Sequence, residues 1–247
     1  MKVVALLPAR LKSRRIKEKL LKKIMGIPVI THTILRAKLS KSLSEVIICT
    51  DSKKIEDCVK KHAKTFISKK KHNNGTERIA EIAKKIKADL IIDIHSDEAI
   101  IDPKNINKLI SFHKKHKEFD IVVPHKVSKQ SGGENIVKIL VNKLKQVLYF
   151  TRSSAPHGFR KKNTKYLHHL DIISFKPSAL KKFSLLKKSH LEIIEGIELM
   201  RGLENNLKIG SFPIKTKSFS INTPKDLFLA KKIMKKDKYF KLYENKK

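Results

Sequence analysis

Apolar residues fall in short unbroken runs in the first half of the chain and in more interrupted runs after Pro124. Val3–Leu7, Val46–Cys49, Leu90–Ile94 and Ile121–Pro124 are apolar or nearly so along their whole length. Strands of that kind belong to a sheet buried on both faces, whereas a half-solvated strand would alternate. Helical patterns separate them. Val29–Leu39 follows the break at Gly26-Ile27-Pro28, and Lys53–Lys64 follows Thr50-Asp51-Ser52, which can cap it. A third helix opens at Asn74-Gly75-Thr76, with Asn74 or Thr76 as N-cap, and a fourth runs from Asp102-Pro103 through His116. The alternation predicts an α/β protein with a mostly parallel central sheet flanked by helices.

After Pro124 the pattern changes. Gln130-Ser131-Gly132-Gly133 reads as a flexible loop, and Ile136–Val141 with Gln146–Thr151 as a strand pair, which predicts a small antiparallel extension. Leu167–Phe175 reads as a strand, His190–Leu203 as a helix and Lys208–Pro213 as a strand. Pro224–Met234 reads as a closing helix capped by Thr223. Residues 235–247 form a basic tail expected to fray.

The chain has 247 residues, 40% of them hydrophobic, enough for a substantial core and against a disordered or collagen-like chain. Its two cysteines, Cys49 in an apolar run and Cys58 in a helical pattern, read as buried thiols in a reducing cytoplasm. The early apolar run Val3–Ala9 is far shorter than the roughly 20 residues that span a bilayer, so no membrane insertion is expected. The formal net charge is +34, which raises nucleic acid as a partner. However, 49 of the 57 basic residues are Lys, scattered over helical segments where a solvated face explains them, and only 8 are Arg. No nucleic-acid recognition motif accompanies them, and Trp is absent for base stacking, so no specific nucleic acid is expected. No His/Cys spacing suits zinc.

In a parallel sheet ligands bind beyond the carboxyl ends of the strands. Three polar clusters fall there. The loop Pro8-Ala9-Arg10-Leu11-Lys12-Ser13-Arg14-Arg15-Ile16-Lys17-Glu18-Lys19 offers cations and backbone donors for a polyphosphate, without the Gly pattern of a P-loop. A solvated basic loop is the competing reading. Thr50-Asp51 is the second cluster. His95-Ser96-Asp97-Glu98 is the third, and its carboxylates suit either Mg²⁺ or a helix cap.

The order of these pieces resembles the 3-deoxy-manno-octulosonate cytidylyltransferases, also called CMP-Kdo synthetases. The likeness starts with Pro8-Ala9-Arg10-x-x-Ser13-x-Arg15-Ile16-x-x-Lys19 and Gly26-x-Pro28-Val29-Ile30 with His32. It continues through Thr50-Asp51, Asn74-Gly75-Thr76-Glu77-Arg78, Asp97-Glu98, Asn135-Ile136-Val137-Lys138 and Tyr149-Phe150-Thr151-Arg152 with Pro156. It ends with His169-Leu170-x-Ile172, Leu191-Glu192-x-Ile194-Glu195 with Glu198 and Arg201, and Thr223-Pro224-x-Asp226-Leu227, so it spans nearly the whole chain.

The resemblance implies one nucleotide-diphospho-sugar transferase domain over residues 1–247. Residues 1–125 would be its nucleotide-binding half and 126–234 its sugar-binding and dimerisation half, followed by the tail. It implies a homodimer that uses CTP, Mg²⁺ and an acidic keto-sugar, and releases pyrophosphate. Arg10, Ser13, Arg15 and Lys19 would hold the triphosphate, and Thr50 with Gly75 to Arg78 the cytosine and ribose. Arg15, Lys19 and Asp97 would be the catalytic set, Asp97 and Asn222 would hold the metal, and Arg152, His169 and Glu195 would line the sugar site. The chain departs from the family pattern at Lys17, Glu18, Ser96, Ala99, Asp171, Leu199 and Asn222. Ser96 replaces a Gly and Asn222 an Asp that would be a second metal ligand. Such changes fit a divergent enzyme or a catalytically decayed homologue that binds nucleotide or a partner.

Overall fold

The computed structural model describes residues 1–13, 15–72, 74–162 and 165–245. Arg14 of the first loop and the last two residues of the basic tail lie outside the described residues. The chain divides into two compact units, Met1–Asn107 with Lys217–Lys247, and Lys108–Thr216.

The first unit begins with β1 (Val3–Ala9), the short antiparallel pair β2 (Lys23–Ile24) and β3 (Ile27–Pro28), and α1 (Val29–Lys38). β4 (Glu45–Thr50), α2 (Lys53–Val59), β5 (Lys64–Ile67), α3 (Gly75–Ala83) and β6 (Leu90–Ile94) follow, and α4 (Pro103–Lys115) starts here. Its four long strands are parallel and lie in the order β5-β4-β1-β6. Val3–Leu7, Val46–Cys49 and Leu90–Ile94 are buried throughout, which is why their sequences do not alternate. The chain winds outward from β1 to β4 and β5, then crosses back to place β6 on the other side of β1. The carboxyl ends of β1 and β6 therefore flank a topological switch point, where a doubly wound sheet receives its ligand. Ser52 caps α2 by accepting from the Ile55 N–H, and Asn74 caps α3 by accepting from the Glu77 N–H at 2.8 Å.

Two expectations fail in this unit. The helix expected over Lys53–Lys64 ends at Val59, because Lys64–Ile67 forms the edge strand β5 paired with Ile47–Thr50. Cys49 is buried as expected, but Cys58 is only half-buried.

The second unit is built on β7 (Ile121–Ser128), β8 (Lys138–Val141), β9 (Val147–Thr151), β10 (Tyr166–His169) and β11 (Ile172–Phe175). It also holds α5 (Pro177–Leu185), α6 (His190–Glu195), α7 (Leu199–Glu204) and β12 (Ile209–Pro213). β7 is central: it pairs antiparallel with β10 and β11 and parallel with β12, and β8 joins β10 to β9. The single strand expected at 167–175 is two strands separated by Leu170-Asp171, and the strand expected from Ile136 begins at Lys138. The single helix expected at 190–203 is broken at Gly196, whose φ of 62° is left-handed and favours glycine. Helix α5, with Pro177 in its first turn, was not legible as a helix from the periodicity.

The chain then returns to the first unit with α8 (Pro224–Met234), entered through a capping box of Thr223 and Asp226. Over its described residues the tail does not fray. It forms α9 (Lys238–Lys241), burying Phe240 and Tyr243. The Tyr243 hydroxyl lies 3.0 Å from His32 Nδ1 and accepts from Arg36 Nε at 3.2 Å, while Arg36 also donates to Asp237 and to the Ile101 carbonyl. His32, within the family-like pattern, and Arg36 on the same helix thus anchor the tail to α1. Among the described residues no helix is long and apolar enough to cross a membrane.

Candidate active site

The loop after β1 and the turn after β6 meet in the first unit. Lys19 Nζ donates to Asp97 Oδ2 and to Asn222 Oδ1 at 3.3 Å, and Arg15 Nη2 donates to the same Asn222 oxygen at 2.8 Å. Residues 78 and 207 positions apart in sequence thereby form one cluster. Asn222 is delivered by the start of α8: Asp226 Oδ2 accepts from the N–H groups of both Asn222 and Thr223, at 2.9 and 2.7 Å.

Asp97 therefore does not cap a helix. The residue at the head of α4 is Asp102, which accepts from the Lys104 N–H at 2.9 Å. Glu98 is buried and accepts from the Ser220 hydroxyl. Arg10 is exposed and Ser13 half-exposed on the same loop.

Two departures from the family pattern gain a physical meaning. Ser96 is buried; its hydroxyl donates to the Pro8 carbonyl at 2.7 Å, and its own carbonyl accepts from Thr33 Oγ1 at 3.0 Å. The added side chain thus ties the end of β6 to the end of β1. Glu18 takes the left-handed conformation, φ 51° and ψ 42°, where a glycine is at ease. Its carboxylate is held by Lys54 at 2.7 Å, and that ammonium draws the Glu18 pKa down.

A second cluster lies beside this one in the first unit. Thr50 is fully buried at the end of β4. Gly75 opens α3 so close to β1 that an added Cβ would stand 3.2 Å from Pro8 Cγ. Arg78, on the same helix, is 1% exposed and donates from Nη2 to Asp51 at 2.7 Å. Its Nε and Nη1 are buried with no hydrogen-bond partner among the described residues. Unpartnered buried donors are costly unless a ligand satisfies them.

The expected sugar-site residues lie in the second unit. Both Glu195 oxygens are engaged: Oε1 accepts from Thr151 Oγ1 at 2.7 Å and Oε2 from the Arg152 N–H at 2.8 Å. The Arg152 guanidinium donates to the carbonyls of Glu195, Glu134 and Gly196 at 2.8, 2.7 and 3.3 Å. His169, at the end of β10, packs edge-on against Phe150 with ring centroids 5.7 Å apart.

The loop expected to be flexible, Gln130–Gly133, is tied down. His168 Nε2 lies 2.9 Å from the Gln130 carbonyl, and Lys138 Nζ reaches the carbonyls of Gly133 and Ile136. Thr151 and Lys138 are among the residues that the family-like motifs include without a role. The available signal was a lone Lys inside the apolar run Ile136–Val141.

Five of the arginines separate by environment: Arg36 and Arg201 are buried structural anchors, the latter bidentate to Glu192 at 2.7 and 2.6 Å, whereas Arg15, Arg78 and Arg152 belong to the clusters above.

Whether the first cluster suits Mg²⁺ can be judged from its donors. The Asp97 carboxylate and the Asn222 amide oxygen already converge on one cation, the Lys19 ammonium. Two hard oxygens of this kind fit Mg²⁺, which is commonly held by one or two protein ligands with substrate phosphates and water. Among the described residues no three His, Cys, Asp or Glu side chains are grouped to hold a metal by themselves. The protein's share of such a site is therefore small.

Comparison with known proteins gives a consistent result. Residues 4–209 match the family model described as cytidylyltransferase. A 3-deoxy-manno-octulosonate cytidylyltransferase of Christiangramia forsetii is 35% identical over 94% of this chain and 97% of its own. The protein of that name from Escherichia coli is 29% identical over 94% and 96%. A solved structure of CMP:2-keto-3-deoxy-manno-octonic acid synthetase complexed with CTP superposes with a TM-score of 0.90 at 27% identity, covering 95% of this chain and 99% of that one.

Proposed function

The chain belongs to the 3-deoxy-manno-octulosonate cytidylyltransferase family, and on that premise we propose that it transfers CMP from CTP to an acidic octulosonate sugar, Kdo or a close relative. The observation that carries the reading is the convergence of Arg15, Lys19, Asp97 and Asn222 at the carboxyl ends of β1 and β6. In the reaction the anomeric oxygen of the sugar bonds to the α-phosphorus of CTP. The bond from that phosphorus to the bridging oxygen of the β-phosphate breaks, pyrophosphate leaves, and the hydroxyl proton passes to solvent.

Each residue has a defined task in this reading. Arg15 and Lys19, with Arg10 and Ser13 on the same loop, receive the triphosphate. The two cations in contact with Asn222 lie where they can neutralise charge on the departing pyrophosphate. Thr50, Gly75 and Arg78 form the cytosine and ribose pocket, and a nucleoside oxygen satisfies the two buried Arg78 donors. Asp97 and Asn222 would hold Mg²⁺, which when bound would supply Lewis-acid neutralisation of phosphate charge. Lys19 exchanges Asp97 for phosphate oxygens when the nucleotide enters. Arg152 receives the sugar carboxylate, His169 lines the same site, and Glu195 fixes the Arg152 backbone. Such chemistry rests mainly on positioning and electrostatic stabilisation. The same reading makes the protein a cytoplasmic homodimer, which sedimentation at working concentration tests.

The inward hydroxyl of Ser96 and the retained place of Asn222 in the cluster favour a working enzyme over a decayed one. Pyrophosphate release from CTP with Mg²⁺ and a panel of acidic keto-sugars is the test. Release that depends on one such sugar supports the reading; nucleotide binding with no release on any of them refutes it.

A further inference from the structure

Lys138 is fully buried at the start of β8, yet among the described residues no carboxylate lies within ion-pair distance of its ammonium. Buried lysines are rare, and those that occur are normally paired. Here Nζ donates to three backbone carbonyls: Ile136 at 2.8 Å, Gly133 at 3.4 Å, and Arg152 at a shorter distance. Carbonyl partners satisfy the three N–H groups of an ammonium but form no ion pair with it, and its charge is offset only at longer range by Glu195 and Glu134. That charge sits beside Arg152, whose own guanidinium bridges the carbonyls of Glu134, Glu195 and Gly196.

The arrangement pins Arg152 from several directions. Its N–H is held by Glu195, its C=O by Lys138, and its side chain by the loop residue Glu134, while Lys138 grips that loop on either side at Gly133 and Ile136. We propose that Lys138 is a positioning residue: its buried ammonium joins the 133–136 loop to the Arg152 backbone, so that the Arg152 guanidinium is already oriented for the carboxylate of an acidic sugar. The inference deepens the function proposed above and rests on Arg152 as the carboxylate receptor. Burial first and the neighbouring Arg152 second lower the Lys138 pKa, against the weaker opposing pull of the Glu195 and Glu134 carboxylates, and an anionic ligand on Arg152 would add to that pull.

The test compares wild type with Lys138→Met, which keeps the length and removes the charge. The expected result is a rise in KM for the acidic keto-sugar of about 10- to 100-fold, the penalty for a misplaced binding group. KM for CTP and kcat should stay close to wild type, a split that general loss of structure does not produce. Equal movement of both KM values, or of neither, overturns the proposal.

Amide exchange gives a readout independent of turnover. The Ile136 and Arg152 N–H groups are both hydrogen-bonded, to Gly133 and Glu195. Both should be protected in ligand-free wild type and exchange faster in Lys138→Met, while β1 amides stay unchanged. Rapid exchange in ligand-free wild type overturns the proposal even if the variant fails to fold. If wild type turns over no acidic keto-sugar, the substrate reading fails, and the exchange comparison still decides the role of Lys138.

Discussion

The Asp97–Asn222 cluster of the first unit and the Lys138–Arg152 cluster of the second hold their cations in opposite ways. In the first unit Arg15 and Lys19 donate to the side-chain oxygens of Asp97 and Asn222, and Arg15 is exposed. In the second unit Lys138 and the side chain of Arg152 donate to backbone carbonyls. The contact made by exposed Arg15 is weak in solvent, and the Lys19–Asp97 pair, its side chains only 14% and 16% exposed, can trade one charge-assisted partner for another. A backbone cage closes with the fold and costs no reorganisation when the ligand arrives. In the proposed function the Asp97–Asn222 cluster exchanges partners, and the Lys138–Arg152 cluster presents one group in a fixed pose.

The comparison is broken most severely at Asp97. Asp97→Asn keeps the shape but removes the only carboxylate that Lys19 contacts among the described residues. Pyrophosphate release should fall by about a thousandfold, since Lewis-acid stabilisation is worth several kcal/mol of barrier. Circular dichroism should be unchanged, and an unaffected rate would remove Asp97 from the metal site.

Acid should weaken both units. His32 in the first unit and His113 and His125 in the second are buried, and desolvation depresses each pKa from 6.5 to about 4. Each stays neutral in the folded chain while its unfolded counterpart takes up a proton below about 6.5. Their stability contribution is full above that pH and is lost as the pH falls toward 4. Each is on the order of 3 kcal/mol. Denaturant midpoints should drop steeply between pH 6.5 and 4, and a flat profile would contradict the neutral assignments.

Smaller effects sharpen the contrast within the first cluster. Arg15→Ala removes one charge-assisted contact, worth about 1.5–3 kcal/mol of CTP binding by calorimetry, with little change in Tm. Unchanged affinity would make the loop a solvated one. Asn222→Asp puts a second carboxylate beside Asp97 and, if the two hold Mg²⁺ as proposed, should lower the Mg²⁺ concentration for half-maximal turnover severalfold. Smallest is Glu18→Gly, which relaxes the left-handed backbone at the loss of an exposed pair with Lys54, and should raise Tm slightly.

The same contrast explains what could be read from sequence. Unbroken apolar runs located β1, β4 and β6, and local caps located α2, α3 and α8, because burial on both faces and side-chain capping leave marks within a few residues. The edge strand β5 left no such mark: Lys64-Thr65-Phe66-Ile67 is short, partly exposed and preceded by a helix-like stretch. The tail read as frayed because its anchors, His32 and Arg36, lie some 200 positions away. Family-like motifs brought Arg15, Lys19, Asp97 and Asn222 to attention, but only the crossover topology shows that they meet. Lys138 was visible as a lone charge in an apolar run, whereas its carbonyl partners have no side-chain signature. Backbone cages of this kind are the part of a site that sequence conceals.

The central claim is that this arrangement makes a new phosphodiester from CTP. Phosphorus NMR of the protein with CTP, Mg²⁺ and an acidic octulosonate sugar follows the α-phosphorus directly. The account predicts that its phosphoanhydride signal gives way to a phosphodiester signal at the rate at which inorganic pyrophosphate appears, and only when the sugar is present. Bound CTP that stays intact, with no phosphodiester formed from any acidic keto-sugar, would contradict it.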